Sequence, residues 1–92
     1  MLRAEGKYED AVEIFTRILR NEPHHLEALF NRAYCYDMLA KYDLSEADYS
    51  EVILLNPGLQ PAYLNRGQAR YAQQKWDSAI VDLNFVLRFN QF

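Results

Sequence analysis

The sequence predicts an all-α protein built as a stack of antiparallel helix pairs. Three observations carry that expectation: a 34-residue internal repeat, apolar positions recurring three and four apart, and a scarcity of turn formers, with three Gly and three Pro in 92 residues. So few turn residues leave little room for the many tight turns of an all-β chain. Ninety-two residues is one small domain's worth of sequence.

The repeat is read by sliding the chain against itself. Pro23 and Pro57 stand 34 residues apart, and the same shift superimposes Lys7, Lys41 and Lys75. It also aligns Tyr8, Tyr42 and Trp76, then Glu9, Asp43 and Asp77, and further on Phe15, Tyr49 and Leu83. Ala28, Asn31 and Arg32 fall on Ala62, Asn65 and Arg66. So many matches in one frame define a tandem array, in which each unit buries its apolar seam against its neighbours.

Each unit reads as two helices, predicted at 8–20, 26–39, 42–55, 60–73 and 76–89, with 1–5 as the last turn of an earlier helix. In 76–89 the residues Ala79, Ile80, Leu83, Val86 and Leu87 share one face at helical spacing. Asp77 and its equivalents Glu9 and Asp43 are placed at helix starts, where carboxylates act as caps or complement the macrodipole. Pro23 and Pro57 stop the preceding helices, and Pro61 opens the next. Short connections make neighbouring helices antiparallel. The expected organisation is a single domain over 1–92: a partial first repeat at 1–25, a second at 26–59 and a third at 60–92.

Composition excludes several functions. Ten Lys+Arg against thirteen Asp+Glu give a net charge of −3, which argues against nucleic acid as a partner. One cysteine, Cys35, rules out an internal disulfide and a Cys-rich zinc site, and it reads as a small buried packer in the slot of Ala69. No run approaches the roughly eighteen apolar residues of a membrane span, and no signal peptide is evident. The expected setting is therefore intracellular, in the cytoplasm. His24 and His25 share a loop without converging ligands, so they read as a solvated turn rather than a metal site. The carboxylates are placed on exposed faces and helix starts. No phosphate loop, nucleophile motif or zinc-protease motif is present, and neither an enzyme nor a cofactor is expected.

These features resemble the tetratricopeptide repeat family, in both period and signature. In the middle unit the signature slots hold Leu29, Arg32-Ala33, Tyr36, Ser45, Tyr49 and Pro57. In the last unit they hold Tyr63, Arg66-Gly67, Arg70, Ala79, Leu83 and Gln91; the first keeps Leu2, Ala11, Phe15 and Pro23. Small residues at Ala33/Gly67 and Ser45/Ala79 suit a close helix crossing. Arg32 and Arg66 stand where the family has leucine, Arg70 where it has tyrosine and Gln91 where it has proline; these departures are expected to weaken individual packing contacts. The resemblance implies a right-handed superhelical array whose first helices line a concave wall that binds segments of partner proteins. Without a polar-faced closing helix, the chain reads as an excerpt of a longer protein or one whose ends another chain covers.

On that implied wall the middle unit places Glu27, Phe30, Asn31, Tyr34, Asp37 and Met38, and the last unit Leu64, Asn65, Gln68, Tyr71 and Ala72. Phe30, Tyr34 and Tyr71 offer aromatic grip, with half-buried packing as the alternative reading. Asn31 and Asn65 either offer donor–acceptor pairs to a peptide or hydrogen-bond between units. The resemblance also names a specific activity, the capture of a chaperone's C-terminal carboxylate by Lys, Asn and Arg. With the truncated unit counted first, Asn31 fits but the third-unit slots hold Pro61 and Asn65; with the middle unit first, its slots hold Phe30 and Tyr34. Neither frame supplies the cations, so that activity is not expected.

Two alternatives stand beside a protein or peptide partner. Phe85, Phe89 and Phe92 form an aromatic stripe suited to self-association through an uncovered array end, or to covering by a further helix. RNA binding by a helical-repeat array is disfavoured by the period and the negative charge.

Overall fold

The computed structural model describes residues 4–89. Five helices and no strand occur among them: α1 (Ala4–Asn21), α2 (Leu26–Met38), α3 (Tyr42–Leu55), α4 (Gln60–Ala72) and α5 (Trp76–Phe89). Each helix packs chiefly against the ones before and after it in the chain, as in an open stack. The all-α prediction holds, and the bounds of α2 to α5 fall within one residue of those expected.

Local chemistry explains the boundaries. His25 caps α2, its Nδ1 accepting the Ala28 N–H at 3.1 Å. Pro61 sits in the first turn of α4, where its missing N–H has no intrahelical partner to lose. The paired helices end alike. Ala40 (φ 57°) and Gln74 (φ 65°) adopt the left-handed conformation. Lys41 N–H then reaches back to the Tyr36 carbonyl and Lys75 N–H to that of Arg70, both at 2.9 Å. Ala40 and Gln74 themselves donate to Asp37 and Tyr71. This is the Schellman closure, achieved twice without glycine.

Two expectations at the N-terminal end are corrected. The separate stub at 1–5 is not seen: α1 runs unbroken from Ala4 through Gly6 and Lys7, and residues 1–3 lie outside the described part. Gly6, the equivalent of Ala40 and Gln74, does not adopt positive φ. The break at those two positions is closed by carbonyls of a preceding helix, and the equivalent acceptor here, residue 2, lies outside the described residues. Glu9 consequently sits well inside α1, while Asp43 and Asp77 do occupy first turns. Lys41, at the start of α3, caps nothing with its side chain, so Asp43 acts there through the helix dipole.

The core follows the repeat. Leu19, Ala28, Leu29, Val52 and Ala62 form one buried cluster, surrounded by Phe15, Ile18, Leu26, Phe30, Ile53 and Leu59. Full burial of a side chain such as Val52 contributes about 1.5–3 kcal/mol. The small residues sit at the crossings, as their positions predict: Ala33, Ser45 and Ala79 are buried. A Cβ on Gly67 would stand 3.1 Å from Asp82 Cβ and from Leu83 Cδ2, so α4 and α5 meet where only a hydrogen fits comfortably. Cys35 is a buried free thiol, and burial pushes its pKa up, as expected of a packer rather than a nucleophile.

The left-handed residues give a direct test. Ala40→Gly and Gln74→Gly each relieve a Cβ clash, and each should raise unfolding stability by about 0.5–1 kcal/mol in urea titrations. A loss of stability in both would contradict the turn assignment.

Candidate interaction groove

Polar pairs that the sequence pattern had scattered over exposed faces position the inner helices. Arg32 on α2 forks onto Asp48 of α3, Nε to Oδ2 at 2.7 Å and Nη2 to Oδ1 at 2.8 Å. Its Nη1 reaches back to Thr16 Oγ1 on α1 at 3.2 Å. One period later Arg66 on α4 forks onto Asp82 of α5 at 2.9 and 2.7 Å, and reaches Ser50 on α3 at 3.2 Å. Each arginine therefore joins three successive helices. The carboxylates are deeply placed, with side-chain exposures of 8% for Asp48 and 1% for Asp82. Their hydrogen bonds outweigh burial and hold both guanidinium pKa values above the ordinary value.

This corrects two expectations. Arg32 and Arg66 do not weaken the packing where leucine is usual; each satisfies a buried carboxylate bidentately. Asp48 and Asp82 are not solvated. The missed signal was the shared spacing of sixteen residues from arginine to aspartate, repeated one unit later.

Arg70 belongs to the same system. It donates to Glu46 Oε2 and to Asp82 Oδ2, both at 2.9 Å. Glu46 also accepts from Gln73 and Lys75 at 2.8 Å. Burial alone would push Glu46 up, but hydrogen bonds from Lys75, Arg70 and Gln73, with the charge of Lys75, hold it down to about 2.

Between the N-terminal halves of α2 and α4 lies a cleft of about 410 Å³ lined by Leu26, Glu27, Phe30, Asn31, Leu59 and Pro61. Further along these helices Tyr34, Met38, Leu64 and Tyr71 are 49, 47, 37 and 61% exposed. Gln68 and Ala72 are exposed as well. None of these four lines the cleft itself, and Tyr71 meets the Trp76 ring of α5 edge-on at 5.1 Å.

The two asparagines part company. Asn31 is exposed, lines the cleft and makes no side-chain hydrogen bond among the described residues. Asn65 is half-buried and approaches the Tyr49 hydroxyl. Tyr49 is fully buried and donates to Asp37 Oδ2 at 2.7 Å. Burial and the Asp37 carboxylate push its pKa well up. Burial likewise raises Asp37, against the hydrogen bond from Tyr49, and its Oδ1 is buried without a partner. Phe30 meets the Tyr49 ring edge-on at 5.5 Å, so one face packs inward while the residue still lines the cleft. Tyr34 touches Tyr8 edge-on at 6.3 Å.

The aromatic stripe at the other end is partly absorbed. Phe85 stacks on Tyr63 at 3.8 Å and is half-buried, Phe89 leans on it at 4.9 Å and remains exposed, and Phe92 lies outside the described residues. A smaller outer cleft of about 270 Å³ lies beside that stack. His25 is a helix cap rather than a solvated turn residue. Among the described residues no three His, Cys, Asp or Glu cluster as metal ligands, and no helix is long and apolar enough to cross a membrane.

Stacked helix pairs at a fixed period, with a cleft between α2 and α4, define a helical-repeat interaction module. Residues 2–59 match the tetratricopeptide repeat model. With more than half of its length matched, the chain belongs to the tetratricopeptide repeat family. It is 35% identical over 83 residues to human (Homo sapiens) RNA polymerase II-associated protein 3, covering 90% of this chain and 12% of that protein. It is 28% identical over 76 residues to Hsp70-Hsp90 organizing protein 3 of Arabidopsis thaliana, covering 83% of this chain and 14% of that protein. The chain thus spans only a small part of these relatives. Among solved structures it is similar to the first TPR of Spaghetti (RPAP3) bound to HSP90 peptide SRMEEVD, with TM-score 0.84, 35% identity and coverage of 90% of this chain and 66% of that one. The second TPR of Spaghetti, bound to the same peptide, gives TM-score 0.83, 36% identity and coverage of 90% and 77%.

The Glu46 cluster predicts a pH dependence. A carboxyl held low when folded contributes stability above its ordinary pKa of 4.5 and loses it as pH falls towards 2. Glu46→Gln should cost on the order of 2 kcal/mol at pH 7. In urea titrations that difference should shrink between about pH 4.5 and pH 2. A difference independent of pH would show that the charge on Glu46 is not what holds the cluster.

Proposed function

We propose that this chain is a non-enzymatic protein-interaction scaffold that holds a segment of a partner protein along the groove of α2 and α4. One observation supports the reading: a cleft of about 410 Å³ lies between α2 and α4, and the same two helices carry Tyr34, Met38, Leu64 and Tyr71 exposed. Such surface is costly to leave in water and becomes favourable when a ligand covers it. Asn31, free of internal partners among the described residues, adds a donor and an acceptor for a peptide backbone. The peptides bound to the two Spaghetti domains support a segment, rather than a folded surface, as the ligand. An RNA partner is poorly served, because Arg32, Arg66 and Arg70 are all tied to carboxylates and offer no row of cations to phosphates.

The test is selection of phage-displayed peptides on the folded chain. Enriched peptides should lose at least about tenfold in affinity on the double change Asn31→Ala with Tyr34→Ala. They should be unaffected by Val81→Ala, on the outer helix α5. Binding that ignores the first pair, or that follows Val81, contradicts the groove.

A further inference from the structure

We propose that the groove selects cationic, apolar segments and discriminates against acidic tails, so that its partner class is opposite in charge to the peptide held by the similar Spaghetti domains. The proposal rests on the groove reading above and names the chemistry of its ligand.

The argument is an inventory of charge on the inner helices. α2 and α4 carry five charged side chains: Glu27, Arg32, Asp37, Arg66 and Arg70. All three arginines are consumed, Arg32 by Asp48, Arg66 by Asp82, and Arg70 by Glu46 and Asp82. Freeing any of them for a ligand would strand a buried carboxylate. Glu27 is the one charged side chain lining the cleft; it is exposed, and no described residue pairs with it. Asp37 is turned inward onto the buried Tyr49 hydroxyl with its Oδ1 buried, so Glu27 is the charge left to a ligand. What the inner helices have left to offer a ligand is therefore negative.

Two helix N-termini flank the cleft, and these would favour an anion if their amides pointed at it. Part of that donor set is withdrawn. At α2 the Ala28 N–H is taken by the His25 ring and the Leu29 N–H by the His25 carbonyl. At α4, Pro61 has no N–H and that of Ala62 is taken by Leu59. The Ala28 and Ala62 donors are thus spent within the chain. The Leu26, Glu27 and Gln60 N–H groups have no internal acceptor among the described residues, but at α2 the Glu27 carboxylate, in solvent at the cleft wall, already meets the positive helix end and repels an incoming anion. A ligand that places Lys or Arg at Glu27 and a bulky apolar side chain against Phe30 and Leu59 satisfies the cleft; a C-terminal carboxylate does not.

Isothermal titration with two peptides tests this: SRMEEVD, and its C-terminally amidated, charge-inverted counterpart SRMKKVK. At about 50 mM salt the cationic peptide should bind at least about tenfold more tightly, with the advantage shrinking as salt rises. Glu27→Lys, a change at an exposed position, should reverse the order. SRMEEVD binding as tightly as the cationic peptide, or an order unmoved by Glu27→Lys, overturns the proposal. If neither peptide binds while phage-selected peptides do, the charge rule fails and the groove stands. If selection also yields nothing, the groove fails and the charge rule with it.

Discussion

The rest of the structure depends on a buried fork between an arginine on the first helix of a unit and an aspartate sixteen residues later on the second. In this geometry the arginine cannot serve one hairpin alone: its remaining Nη reaches a hydroxyl on the helix before, Thr16 for Arg32 and Ser50 for Arg66. One side chain therefore joins three helices, and the same join recurs 34 residues on, at the period of the array. Apolar burial supplies the driving force, but it is tolerant of sliding. A bidentate ion pair with a carboxylate 1% exposed is not, because a misplaced helix would strand a charge in the interior.

The same interaction shapes the surface. Each guanidinium drawn into a fork is a cation withdrawn from the inner helices, and Arg70 is withdrawn in the same way by Glu46 and Asp82. An array can thus be stitched by arginines and still present an inner face with no free positive charge. What α2 and α4 leave uncovered includes the apolar side chains of Tyr34, Met38, Leu64 and Tyr71 and the carboxylate of Glu27.

Much of this was legible in the sequence. Helix bounds followed from apolar spacing and from the prolines, and Ala33, Gly67, Ser45 and Ala79 marked the crossings because only small side chains fit there. The forks were not legible, since charge at the leucine slots of Arg32 and Arg66 looks like lost packing until the partner is known. Partner and arginine lie on different helices, and a search for neighbours three or four apart does not find a spacing of sixteen. Asn31 and Asn65 occupy identical slots yet differ in surroundings, because Tyr49 gives Asn65 a buried hydroxyl to approach while Asn31 is exposed at the cleft. The start of α1 was missed for a related reason: the loop at Ala40 and Gln74 depends on carbonyls of a preceding helix as much as on its own residues.

A double-mutant cycle on Arg32 and Asp48, with Arg32→Met and Asp48→Ala made singly and together and unfolding followed in urea, tests the central claim most directly. If the fork organises the stack, each single change leaves a buried charge unpaired and costs about 3–5 kcal/mol, while the double change costs no more than either alone. Costs that simply add, to within about 0.5 kcal/mol, would mean that the two side chains act independently and that apolar packing alone sets the stack.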